Sequence, residues 1–181
     1  MNATLFLLGL GKVFFGIIVG AAGIFSASRL LGRMIRWGDT EAESKRGNLA
    51  AAVLEAAALL AFGILVQHAV QATFTAMDLS YRGQAPRPAM LARFALYGLL
   101  HAGVSLTVGA WALAMGAWIF GKLTRGVDEI AEVRKGNVGP ALVLGAVLVV
   151  MALVTAPGLQ MALEGLIPLP TLDRDEMVAP S

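Results

Sequence analysis

Residues 43–68 read ESKRGNLAAAVLEAAALLAFGILVQH. The stretch is polar and charged as far as Gly47-Asn48, then turns apolar with Glu55 as its sole charge. About 20 mostly apolar residues in helical form cross a hydrocarbon core. An asparagine at the start of such a helix can accept from a free N–H of its first turn, at a boundary where an unpaired donor is costly. The stretch therefore reads as a helix entering lipid, with Gly47-Asn48 as its threshold.

The composition of the whole chain agrees. Of 181 residues, 57% are hydrophobic and only 14% are charged, and the mean hydropathy is +0.74. A soluble domain carries about a quarter charged residues, so this much apolar surface calls for a membrane. The net charge of +2 gives no nucleic-acid signal. The absence of cysteine excludes disulfides, thiolate nucleophiles and cysteine metal sites. The two histidines lack accompanying carboxylates, so neither a metal nor any other cofactor is expected.

Four stretches are long enough to span, at roughly 5–30, 48–68, 92–120 and 138–163. The first offers the small residues GIFSAS after an apolar run, as a signal peptide does, but it has no basic start and is interrupted by Lys12, so an uncleaved span is expected. The connections after spans one and three hold Arg29, Arg33, Arg36, Lys45, Arg46, Lys122, Arg125, Arg134 and Lys135, nine cations against five elsewhere. Positive charge stays in the cytoplasm, so these connections face inward and both termini face the periplasm.

Sliding the chain against itself by 89 residues, the separation of Asn48 from Asn137, aligns Asp39 with Asp128, Glu43 with Glu132 and Gly47 with Gly136. The same offset pairs Gly9 with Gly98, Gly20-Ala21 with Gly109-Ala110, Gly32 with Gly121, Arg33 with Lys122 and Arg36 with Arg125. Charges, glycines and an asparagine keep their order, which points to duplication. Each unit holds two spans, so both copies enter the membrane in the same direction. The expected architecture is an all-α integral membrane four-helix bundle made of two tandem parallel two-helix repeats, residues 1–89 and 90–165, with a polar tail at 166–181.

Both copies carry Glu-x-[Lys/Arg]-[Lys/Arg]-Gly-Asn before an apolar helix, so Gly47, Asn48, Gly136 and Asn137 are expected to form a helix-capping motif. Pro140, three residues after Asn137, suits a first helical turn. The repeated unit, with RGNLAAA and KGNVGPA after an acidic stretch, resembles the bacterial inner-membrane family called domain of unknown function 350, the YjfL-like proteins. The resemblance covers roughly residues 5–163, with Ala50, Ala52, Gly139 and Ala141 also at matching positions. It implies four transmembrane helices in two copies of a two-helix unit, and a membrane-maintenance setting beside peripheral PspA-like or SPFH-domain proteins. It implies no established activity.

Glu55 lies seven residues beyond Asn48, about 10 Å into the helix. A charge there costs about 2.5 to 3.5 kcal/mol on the insertion scale. It must be neutral, paired or facing polar space: a protonated acid bonded to a neighbouring helix, or a proton- or cation-linked site in an oligomer. Its counterpart in the second copy is Leu144, so any such site occurs once per chain.

Arg29, Arg33 and Arg36 recur at helical spacing and, with Lys122 and Arg125, read as basic residues at the lipid surface, marking topology or meeting anionic lipid. Lys12 and His101, also 89 residues apart, read as interfacial anchors on the outer side. GIIVG, residues 16–20, is a GxxxG element that can pack the bundle or join chains into a homo-oligomer. No grouped acids, bases or nucleophiles suggest an enzyme. The functional expectation is a non-enzymatic membrane-stress or membrane-maintenance protein, the alternative being a small oligomeric ion channel or proton-linked transporter using Glu55.

Overall fold

The computed structural model describes residues 3–35, 45–81, 88–123 and 129–166. They form α1 (Ala3–Ile35), α2 (Leu49–Tyr81), α3 (Pro88–Leu123), the short α4 (Glu129–Arg134) and α5 (Val138–Gly165), with no strand among the described residues. Four of these helices are long and apolar enough to cross a membrane. The expected span at 48–68 continues well past His68, because α2 carries on through Gln71, Thr73, Thr75 and Asp78 to Tyr81. Hydropathy marks where a helix meets lipid, not where its hydrogen bonding stops.

Contacts fix the topology. Gly23 of α1 abuts Val66 of α2 and Phe15 meets Phe74, so α1 and α2 run antiparallel. Gly109 of α3 lies against Phe62 and Phe94 against Phe74, which sets α3 antiparallel to α2. Gly116 of α3 packs on Leu148 and Met151 of α5. Between α2 and α5, Gly136 adjoins Asn48 near the start of both helices, and Gly145 adjoins Ala57 further along. These two helices therefore run side by side in the same direction, and theirs is the most extensive helix contact among the described residues.

Small residues make that contact close. Buried positions on α5 are Ala141, Leu144, Gly145, Leu148, Ala152, Ala156, Leu159 and Leu163, at intervals of mostly three and four. On α2 they include Ala50, Leu54, Ala58, Ala61, Leu65 and Ala69. A methyl group added at Gly145 would stand 2.9 Å from Ala57 Cβ, so the backbones meet at a distance only glycine permits. Lipid tails are as apolar as leucine, so close van der Waals packing of this kind holds such helices together. The outer surface is inverted relative to a soluble protein: Phe14, Ile18, Trp111, Trp118, Val154 and Met161 are all exposed. An apolar surface of this extent belongs in a bilayer.

The GxxxG element takes no part in this packing. Neither Gly16 nor Gly20 has a neighbour that an added Cβ would meet, whereas Val19, Gly23, Ala27 and Leu31 form the buried edge of α1.

Candidate functional site

The two glycine-asparagine turns share one end of the bundle. In the second, the amide of Gly136 donates to the Val133 carbonyl at 3.0 Å and that of Asn137 to the Glu132 carbonyl at 3.0 Å. This pair of bonds closes α4 in a Schellman motif, which requires a left-handed residue. Gly136 supplies it, with φ of 90°. Asn137 then starts α5, its Oδ1 accepting from the Gly139 amide at 3.2 Å. Its Nδ2 donates to Glu132 at 3.3 Å. One side chain thus ties the end of α4 to the beginning of α5.

The first turn has the same local form. Gly47 has φ of 87°, and Asn48 Oδ1 accepts from the Ala51 amide at 3.2 Å, capping α2. A Cβ on Gly136 would lie 3.8 Å from Asn48 Oδ1, so the turns adjoin. Two parallel helices therefore begin side by side, with the positive ends of their dipoles together. Lys45, Arg46, Arg134 and Lys135 surround them at exposed positions. Lys135 is paired with Glu132 at 2.7 Å. The hydrogen bond from Lys135, then that from Asn137, holds the Glu132 carboxyl below its ordinary range.

Glu55 lies deeper, half-buried between α1 and α2, and accepts from Ser28 Oγ at 3.5 Å. Among the basic residues, Arg29 is exposed and stacks over the Phe25 ring at 4.7 Å, and Arg33 and Lys122 are exposed. Arg36 and Arg125 lie outside the described residues, as do residues 167–181 of the polar tail.

The opposite end holds what sequence reasoning misread. Lys12 is exposed, as an anchor should be, with Nζ 5.4 Å from the centre of the Phe74 ring. His101 is no anchor: it has no exposed surface at all. Its Nδ1 lies 2.9 Å from Thr73 Oγ1, and Tyr97 stacks on its ring. Ser105, one turn further along α3, is equally buried and its hydroxyl has no partner. A signal was present in the sequence. Gly98, His101, Ser105, Gly109, Ala112 and Gly116 recur every three or four residues, and all are buried. In lipid, the face that packs is marked by small and polar residues.

No group of three or more metal-ligating acids, histidines or cysteines occurs among the described residues. No curated protein and no solved structure matches the chain. The described helices and their capped turns fall almost wholly within residues 4–159, which match the family model described as Domain of Unknown Function (DUF350), and the protein belongs to that family.

Proposed function

We propose that this chain is a non-enzymatic, multi-pass protein of the bacterial inner membrane that serves as an attachment platform in membrane-maintenance assemblies. The observation that carries this reading is the adjoining pair of capped turns. Two coincident helix N-termini ringed by lysine and arginine make a rigid, positively charged surface suited to anionic lipid or an acidic peripheral partner. The PspA-like or SPFH-domain proteins implied by the family resemblance are partners of this kind. The chain is read as two tandem two-helix repeats with the turns facing the cytoplasm and both termini the periplasm. Homo-oligomers would form through the open Gly16–Gly20 face of α1.

The chain lacks cysteine, so single-cysteine variants report topology cleanly. A cysteine at position 47 or 136 should react with an impermeant maleimide only from the cytoplasmic side, and one at position 165 only from the other. A photocrosslinker at position 45 or 135 should trap a peripheral membrane protein, and its capture should fall when Arg46 and Arg134 are replaced by glutamine. Labelling of position 47 from the periplasm, or capture unaffected by those replacements, would overturn the reading.

The half-buried Glu55 favours a second reading, an oligomeric channel or proton-linked transporter. Proton or cation flux into liposomes that Glu55→Gln abolishes supports it; flux equal to that of protein-free liposomes removes it.

A further inference from the structure

A groove in one half of the bundle is filled, and the corresponding groove in the other half is open. The filled one lies between α3 and α5 and takes α2, with Phe62 against Gly109 and Ala57 against Gly145. Its floor on α5 is buried at Leu144, Gly145, Leu148, Ala152 and Ala156. Eighty-nine positions earlier, the residues are Glu55, Ala56, Leu59, Gly63 and Gln67 on α2, and Gly20 on α1 stands where Gly109 stands on α3. Of these, Gly20, Ala56, Leu59, Gly63 and Gln67 line a groove of about 770 Å³ between α1 and α2. Ala56, Gly63 and Gln67 are exposed, so no described part of the chain fills it.

The helix face that fills the first groove has a counterpart as well. Leu54, Ala61, Leu65 and Ala72 of α2 are buried, none with more than 2% of its surface exposed. Val143, Val150, Val154 and Met161 of α5, 89 positions later, are 57%, 54%, 73% and 75% exposed. One chain therefore carries, uncovered, both halves of a contact that it makes once internally: a groove beside α2 and a ridge on α5.

We propose that a second copy of this chain covers them, the α5 ridge of one molecule entering the α1–α2 groove of the next. This assembly rests on the two-repeat reading and on the homo-oligomer proposed above, and it gives the Gly16–Gly20 face of α1 a specific partner. Ala146 of the entering helix takes the place of Ala57 and meets Ala56, as Ala57 meets Gly145 within the chain. Met151 takes the place of Phe62 and lies over Gly20, as Phe62 lies over Gly109. Alanine and glycine at these positions permit the same close approach of backbones. Groove and ridge are different surfaces, so copies add head to tail rather than as self-paired dimers.

A polar pair favours protein over lipid as the occupant. Pro157 stands inside α5 on its exposed side and has no N–H to give the Leu153 carbonyl. In a bilayer, a carbonyl freed in this way takes a donor from a neighbouring helix. Gln67 is an exposed amide on the groove wall. With Ala56 opposite Ala146 on parallel helices, eleven residues further along both bring Gln67 of one copy level with Pro157 of the next. Its side-chain N–H can then donate to that carbonyl, which an acyl chain cannot do. Glu55, at the inner end of the groove, keeps Ser28 of its own chain as a partner.

The test is disulfide trapping in membranes that hold two differently tagged copies of the full chain, one with Ala56→Cys and one with Ala146→Cys, treated with an oxidant that enters the bilayer. The chain has no cysteine of its own. A disulfide should join the two tags, and neither variant alone should pair with itself. Ala114→Cys is the control, because Ala114 and Phe25, 89 positions apart, are both exposed to lipid; it should not join Ala146→Cys. Gly63→Leu added to the Ala56→Cys copy should abolish the mixed disulfide, since position 63 is open within the chain and a leucine there obstructs only the groove. Absence of the mixed disulfide, self-pairing at equal yield, or a mixed disulfide that survives Gly63→Leu overturns the proposal. A disulfide between two Gly16→Cys copies, with none between positions 56 and 146, keeps an oligomer through like α1 faces and overturns the head-to-tail one. Capture at positions 45 and 135 reads the attachment function separately.

Discussion

The side-chain oxygen of Asn48 sits against the backbone of Gly136, 3.8 Å from the point a β-carbon would occupy there. Residues far apart in sequence thus share one small patch, and each belongs to a turn that ends in a helix cap. The cap of α2 and the left-handed turn before α5 are neighbours, so the consequences of altering either can be separated.

Gly136→Ala should destabilise the protein by about 1 to 2 kcal/mol, the cost of holding a side chain in the left-handed region. The added methyl itself meets only ordinary van der Waals contact, so strain alone is read. Gly136→Asn should cost less, because asparagine tolerates this conformation. Unfolding of both variants in mixed micelles, followed by circular dichroism, checks the order.

Replacing either capping asparagine by alanine should cost about 1 kcal/mol. Asn137→Ala should cost more than Asn48→Ala, since Asn137 also donates to Glu132. Hydrogen exchange locates the loss: the Gly139 amide should lose protection in the first variant and the Ala51 amide in the second.

Acid should loosen the second turn. Glu132 is held below its ordinary range by Lys135 and then by Asn137, so between its folded and unfolded values the unfolded chain binds more protons. Its stabilising effect is fully present above the ordinary carboxylate value and is lost as pH falls through the folded one. Glu132→Gln should flatten this acid limb in a pH series of exchange at the Gly139 amide.

At the α2–α5 contact, Gly145→Ala should destabilise by about 1 to 3 kcal/mol, because the new methyl must displace Ala57 at 2.9 Å. Ala57→Gly in the same chain should recover part of that loss by reopening the space. A double-mutant cycle that shows no coupling would place the close approach elsewhere.

Which parts of this were legible beforehand follows from what each residue type reports. Long apolar runs declare spans because lipid is their solvent, so α1, α2, α3 and α5 were readable from composition. Gly47-Asn48 and Gly136-Asn137 were readable as caps because a glycine takes the left-handed turn and the asparagine after it brings a side-chain acceptor to the helix start. The far half of α2 was not, since Gln71, Thr75 and Asp78 are exposed polar residues on a helix that continues regardless. His101 was misassigned because its depth along α3 fits an anchor, while its rotation about the axis, shared with Gly98 and Ser105, turns it inward. Depth is read from distance along the chain; direction is read only from the small residues beside it.

The lengths of α2 and α3, 33 and 36 residues, have an architectural outcome. At helical rise they reach about 50 and 54 Å, against about 30 Å of hydrocarbon. Even a steep tilt of about 40° leaves them too long. Their far ends therefore leave the hydrocarbon, reaching the headgroup layer when steeply tilted and water when upright. Gln71, Thr75 and Asp78 are the exposed polar side chains that this overhang carries out of the apolar solvent.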